Sequence, residues 1–307
     1  MAAGSSSEES ILNRIKRKVW LPRGSGLKLG IGDDCAIFRP RSAVEDLLFT
    51  TDLLLENVHF RRETHSAEDI GYKALARALS DIAAMGGQPR FCLLSLAVPQ
   101  WADQAWVDRF YRGFLQLARK TATPLAGGDL ARTERLACDV IVCGAVPKNG
   151  ALLRSGARPG DGIYVSGVLG GSALGLAGAK GLARKRHLRP EPRLALGKFL
   201  RDQHHAHAAM DLSDGLSLDL HRLCLASGVS AEIEPPPIFP GATLDQALHG
   251  GEDYELLFTA SPRTHPPSDF GGLSLTRIGT ITARRPGSVR LAGRPLAPLG
   301  FDHFQNT

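Results

Sequence analysis

The chain has 307 residues, 43% of them hydrophobic, enough for one large α/β domain or two of ordinary size with real cores. A net charge of +6 would suit a nucleic-acid partner, but the basic residues gather between Lys180 and Arg201 with only Phe199 among them to stack on a base. A solvated helical face or an anion-attracting lid is expected there instead, with no nucleic-acid partner, and no apolar run reaches the ~20 residues of a membrane helix.

The opening MAAGSSSEES reads as a flexible tail rather than a signal peptide, so cytoplasm is the expected compartment. Residues 46 to 50 (DLLFT) read as a buried strand. A helix is predicted over 67–85: Ser66 and Asp69 form a capping-box pattern, Ile70, Ala74, Ala78, Ile82 and Met85 recur at helical spacing, and Gly86, Gly87 and Pro89 stop it. Strands over 90–98 and 137–146 enclose a second helix at 103–121. The turn-rich stretch KNGALLRSGARPGDG (148–162) places a domain boundary near residue 147, giving domains 1–147 and 148–307. Beyond it come strands at 162–166, 229–233, 254–260 and 275–281 and helices at 171–181, 192–203 and 216–227, with EPPPIFPG (234–241) as a rigid connector. Alternating strands and helices argue for α/β. Five scattered cysteines without CxxC spacing exclude a disulfide framework and a zinc site, so buried thiols are expected.

Aspartate recurs beside glycine, serine or threonine in GIGDD (30–34), TTD (50–52), LSD (79–81), GGD (127–129), DLSDG (211–215) and GGED (250–253). Any one of these is a plausible cap or turn. Together they suggest oxygen ligands for Mg²⁺, which is usually shared between protein carboxylates and substrate phosphates. Asp81 lies in the last turns of an apolar helix, where the dipole opposes a carboxylate, so a positive group is expected beside it. Asp33 and Asp34 would repel phosphate unless a cation intervened. Thr50, Thr51 and Asp52 are read as ending a strand, where α/β proteins place ligands. DLSDG is similar in outline to a calcium loop, but its glycine falls one place early and no glutamate closes it; Asp214 is read as the cap of the helix from Leu216. Neither standard phosphate loop is present. His204, His205 and His207 are assigned no site, since Mg²⁺ does not select imidazole.

GIGDDCA, TTDLLLENVHF, ALSDIAAMG, GGD, RSGARPGDGIYVSG, MDLSDGL, GGEDYEL and GFDHF, in this order, closely resemble the thiamine-monophosphate kinase family from about residue 30 to residue 304. The wider superfamily includes aminoimidazole ribonucleotide synthetase and selenophosphate synthetase. The resemblance implies the two-domain α/β architecture of that superfamily, with a dimer-forming sheet in the amino-terminal domain and a carboxy-terminal domain that completes the sites. It also implies a homodimer that uses ATP, several Mg²⁺ ions and thiamine monophosphate to make thiamine diphosphate.

By position, Asp34, Thr50, Thr51, Asp52, Asp81, Asp129, Asp211 and Asp214 match the family's magnesium ligands. Gly128, Asp129, Arg154 and Ser213 match its ATP contacts, and His59, Glu252 and Phe301 its substrate contacts. Phe301 stands where tryptophan is often found, so weaker ring stacking is expected. Arg154 is expected to fork onto ATP phosphates, and His59, if protonated, to anchor the substrate phosphate. Glu252 suits a cationic ring by charge and Phe301 by cation–π attraction. No side chain is expected to act as nucleophile or strong base. Other readings are a different ATP-using synthetase of the superfamily and a non-catalytic divalent-metal-binding protein. A selenophosphate synthetase would want a reactive cysteine near the amino terminus, and residues 1–29 contain none.

Overall fold

A computed structural model describes residues 7–19 and 24–304. In chain order the first half holds α1 (Glu8–Lys16), β1 (Leu27–Leu29), β2 (Ala36–Phe38), β3 (Glu45–Leu55), α2 (Ala67–Ala84), β4 (Gln88–Val98), α3 (Gln104–Lys120), β5 (Leu125–Arg132) and β6 (Ala137–Pro147). The second half holds β7 (Gly162–Ser166), α4 (Gly171–Leu176), α5 (Leu182–Leu188), α6 (Leu194–Asp202), β8 (Ala208–Asp211), α7 (Leu216–Ser227), β9 (Ser230–Ile233) and α8 (Leu244–His249). It closes with β10 (Leu256–Ala260), β11 (Asp269–Phe270), β12 (Leu273–Thr282), β13 (Val289–Leu291) and β14 (Arg294–Leu296).

Six strands form a first sheet in the order β1-β2-β3-β6-β4-β5. Its spine is the long antiparallel pairing of β3 with β6, from Glu45 opposite Pro147 to Leu55 opposite Ala137, and only β4 and β5 run parallel. Alternate residues such as Leu48, Leu54, Leu94, Val140 and Val142 bury against α2 and α3, as the period of a half-covered strand requires. The capping box starts α2: Asp69 N donates to Ser66 Oγ at 3.1 Å and Ser66 N donates back to Asp69 at 3.4 Å. The two helices cross at backbone distance, since a Cβ on Gly113 would stand 1.9 Å from the Glu68 carbonyl oxygen and one on Gly71 2.0 Å from that of Phe110.

A second sheet runs β14-β13-β9-β12-β7-β10-β8, with β11 on β12; its pairings are antiparallel apart from β13 with β9. Its own core gathers under α7 and α8. A third apolar cluster joins the halves, with Ala83 and Ala84 of α2 against Leu196 and Leu200 of α6 and Leu256 and Phe258 of β10. There a Cβ on Gly197 would lie 1.9 Å from the Ala83 carbonyl oxygen.

The fold is the two-domain α/β architecture expected, built on two sheets, although strand–helix alternation did not disclose how much of the pairing is antiparallel. The supposed tail is helical from Glu8, because Ser7 caps α1 by accepting from Ser10 N at 3.3 Å; residues 1–6 lie outside the described residues. The helix expected over 171–181 ends at Leu176, and α5 starts afresh at Leu182, because Gly178 and Gly181 between them take φ of 103° and 69°. β3 continues to Leu55, so Thr50, Thr51 and Asp52 stand within a strand and not at its end. GGD lies in edge strand β5 and not on a bend. All five cysteines are buried and unpaired. Among the described residues, no helix is long and apolar enough to cross a membrane.

Candidate active site

Three carboxylates meet where α2 packs on β8: Asp34 from the loop before β2, Asp81 from α2 and Asp211 from the end of β8. Ligand oxygens from the three all lie within 4.8 Å of one another. Each is held by a neighbour. Thr50 Oγ1 donates to Asp81, Ser80 Oγ donates to Asp211 at 2.7 Å, and Arg154 Nε donates to Asp34 at 3.1 Å. Asp34 Oδ2 is buried without a partner. Burial and then the Asp34 charge push the Asp211 carboxyl up to about 7, and burial with the Asp34 charge does the same to Asp33. Asp81 is raised well above the carboxylate range, by burial first and then by Asp211, Asp52 and Asp34. The charges that crowd it are therefore carboxylates, and no side-chain cation among them supplies the positive group expected beside it. An all-oxygen set of clustered carboxylates with one orphaned oxygen fits a hard divalent cation such as Mg²⁺.

Asp81 and Asp211 border a cavity of about 570 Å³ whose lining also includes Asp52, His59, Arg77, Ser213, Asp214, Glu252 and Phe301. Strand alternation divides the TTD triplet. Thr50 faces α2 and Asp81, whereas the Thr51 hydroxyl donates to Asp139 at 2.6 Å on the neighbouring strand. Asp52 pairs with Arg77 at 2.7 Å; burial raises its carboxyl and Arg77 opposes the shift. The Arg154 guanidinium is engaged by Asp34, so the fork expected on ATP phosphates is on a carboxylate in this structure. Asp214 pairs with Arg222 and caps nothing. The N-cap of α7 is Gly215, and buried Asp219 accepts from the N–H groups of Asp214 and Gly215 at 3.1 and 3.0 Å.

The DLSDG and GGEDY loops run side by side, with Glu252 N donating to Ser213 O at 2.7 Å and Tyr254 N to Leu212 O at 2.9 Å. That brings Glu252 to the wall of the cavity that Phe301 also lines, where His59, His303 and Phe301 cluster with ring centroids 4.7 to 6.4 Å apart. Burial would raise the Glu252 carboxyl, but Lys73, His187 and Arg77 outweigh it and hold it at about 2. His59 is neutral: burial and then Arg77 lower it to about 3, and its Nδ1 accepts from Leu55 N at 3.0 Å. A protonated phosphate anchor is thus the wrong description; Nε2 is left as the donor of a neutral ring.

Gly128 and Asp129 stand apart from this cavity. Asp129 lines a shallow depression of about 160 Å³ on the open face of the first sheet, with Ser95, Leu53 and Asp139. Of the basic stretch, Arg186 and Arg193 bind buried Glu255, Arg189 binds Asp69, and Arg201 donates to Gly86 O, so these arginines tie elements together instead of forming a free basic face. His207 pairs with Asp161 at 2.9 Å, away from the carboxylate cluster. Sequence reasoning missed Lys73, Arg77, Asp139, His187 and Arg222. A signal existed for two: Lys73, Arg77 and Asp81 recur every four residues and so mark one polar stripe on α2.

Family models described as AIR synthase related protein, N-terminal domain, and AIR synthase related protein, C-terminal domain, match residues 32–148 and 158–291. The chain is 38% identical to thiamine-monophosphate kinase of Rhodopirellula baltica, over 96% of this chain and 97% of that one. It is 39% identical to the Escherichia coli protein of the same name, over 91% and 92%. A solved structure described as "AaThiL complexed with AMPPCP and TMP" superimposes with a TM-score of 0.88 at 32% identity, covering 99% of each chain. The thiamine-monophosphate kinase from Stenotrophomonas maltophilia gives 0.76 at 39% identity, covering 92% of this chain and 96% of that one. Similarity in sequence along nearly the whole chain, and in both sheets, makes this protein a member of the thiamine-monophosphate kinase family.

Proposed function

We propose that this protein transfers the γ-phosphoryl group of ATP to thiamine monophosphate, giving thiamine diphosphate and ADP, the last step of thiamine diphosphate biosynthesis. The observation that carries the reading is the convergence of Asp34, Asp81 and Asp211 from both halves of the chain beside a cavity walled by His59, Glu252 and Phe301.

Both reactants are polyanions. Two groups of charge about −2 held about 5 Å apart repel by on the order of 10 kcal/mol at an effective dielectric of ~20. Asp34, Thr50, Thr51, Asp52, Asp81, Asp211 and Asp214 would hold Mg²⁺, with Asp129 contributing from the sheet's open face. Such ions supply positive charge to phosphate oxygens in attack and departure. Arg77 and Arg154, both bordering the carboxylates, add fixed positive charge on the protein's side. Gly128, Asp129, Arg154 and Ser213 form the ATP side, and His59, Glu252 and Phe301 the thiamine side. His59 Nε2–H is a neutral donor, and Phe301 offers a ring face. The attacking phosphate oxygen is already anionic, so no strong base is needed and transfer proceeds directly and in line, without a phosphoenzyme.

We place residues 1–147 as the ATP- and Mg²⁺-binding domain and residues 148–307 as the domain completing the sites. The open face of the first sheet, where Leu53 and Leu130 are 50% and 63% exposed, is the surface through which two copies would pair as a homodimer. Five unpaired thiols suit a reducing compartment, and the cytoplasm is the compartment proposed.

The test is ADP release with Mg²⁺ and ATP, using thiamine monophosphate, thiamine and a purine precursor in parallel. Release with thiamine monophosphate alone is expected. Release only with the purine precursor, or with no acceptor, removes the kinase reading, and a trapped phosphorylated protein removes direct transfer.

A further inference from the structure

The carboxylate at the cavity wall carries its own counter-charge. Lys73 on α2 has a side chain 0% exposed, whereas that of Glu252 is 22% exposed. The Lys73 ammonium lies 2.9 Å from each Glu252 oxygen, and its other neighbour is the His59 carbonyl oxygen at 3.4 Å. An ammonium so enclosed is tolerable only when paired and hydrogen-bonded. His187 Nδ1 stands 3.3 Å from Glu252, while its hydrogen-bond partner is the Ser172 hydroxyl at 3.0 Å. The backbone is also fixed: Glu252 and Tyr254 take φ of 65° and 49°, a region that non-glycine residues occupy only when their surroundings demand it. Glu252 is therefore aimed from two sides, by its loop and by an ammonium from the other half of the molecule.

A cation entering the cavity meets little net charge at this wall, because Lys73 balances Glu252 and Arg77 balances Asp52. A hydrogen-bond donor meets oxygens already oriented. We propose that Lys73 is a positioning residue that fixes Glu252 as a neutralised, directional acceptor, so that this wall selects the amino group of the substrate's aminopyrimidine and not the positive charge of its thiazolium. This rests on the kinase reading above and revises how Glu252 serves it.

The experiment measures ADP release with three acceptors: thiamine monophosphate, the analogue with an oxo group in place of the pyrimidine amino group, and the analogue with a neutral ring in place of thiazolium. In the native protein the neutral-ring analogue should keep KM within about threefold, and the oxo analogue should raise it by about thirtyfold or more, the behaviour of a site built for a donor. Lys73→Met should raise KM for thiamine monophosphate by about tenfold with KM for ATP unchanged, and shrink the amino-to-oxo preference below about threefold. If Lys73→Met does not fold, the double variant Lys73→Met with Glu252→Gln removes both charges and carries the same comparison. A thirtyfold loss on neutralising the thiazolium, or an amino preference that survives loss of Lys73, overturns the proposal. Native turnover of thiamine monophosphate reports separately on the kinase reading; without it both fall.

Discussion

The hydroxyl of Ser80 on α2 donates to the carboxylate of Asp211 on β8 at 2.7 Å, a bond that joins the two halves of the molecule at its most charged point. It fixes one Asp211 oxygen and leaves the other for the Mg²⁺ proposed above. Groups that orient metal ligands in this way are typically worth about 10- to 100-fold in metal affinity or activity. Ser80→Ala should raise the Mg²⁺ concentration for half-maximal ADP release about tenfold and lower unfolding free energy by ~1 kcal/mol. A Mg²⁺ titration that superimposes on that of the native protein would show the bond to be incidental.

Asp81 and Asp52 are pressed by other carboxylates and by burial. Asp81→Asn and Asp52→Asn should abolish ADP release while leaving the circular dichroism spectrum unchanged. In metal-free buffer Asp81→Asn should melt no lower than the native protein, because it removes one of three mutually repelling groups. Near-native turnover in either variant would remove the carboxylate cage from the mechanism.

Two buried histidines make a pH prediction of definite sign. Burial and then the Lys73 charge lower His65 to about 4 and His187 to about 3, both from 6.5. The unfolded chain therefore takes up protons below pH 6.5 that the folded protein refuses. Their contribution is complete above that pH and is lost as pH falls toward 4 and 3, by at most ~1.4 kcal/mol per histidine per pH unit. The raised carboxyls of Asp33 and Asp211 pull the other way, so the informative comparison is between variants. Between pH 7.5 and 5, His65→Gln should lose less melting temperature than the native protein; parallel losses would exclude the assignment.

Gly113 carries the crossing of α2 and α3. Gly113→Ala puts a methyl carbon 1.9 Å from the Glu68 carbonyl unless the helices part, so unfolding free energy should drop by about 2 kcal/mol or more. Urea denaturation measures it, and an unchanged midpoint would mean that the crossing yields freely.

What the sequence disclosed followed physical locality. The capping box at Ser66 and Asp69 is written within four residues and forms as read; α7 runs from Leu216 to Ser227 as its pattern indicated. The ordered motifs from GIGDDCA to GFDHF carry the family resemblance in the residues alone. What remained hidden depends on pairing. The length of β3 is set by β6, and with it the split of Thr50 from Thr51 onto opposite faces. The partners of Asp34, Asp214 and Glu252 are Arg154, Arg222 and Lys73, and only the second is near in sequence. The neutrality of His59 could not be read at all, because it arises from burial and from an arginine on another element.

The seating of α6 on α2 has a further result. Leu196 and Leu200 lie under Ala83 and Ala84, beside Phe258, and Gly197 lets the two backbones touch. Drawing the halves apart would strip solvent-free surface from all of these at once. That seating is expected to keep the cavity a socket entered through its mouth, and not a pair of jaws that shut on the reactants. Small-angle scattering with and without a non-hydrolysable ATP analogue should give one radius of gyration.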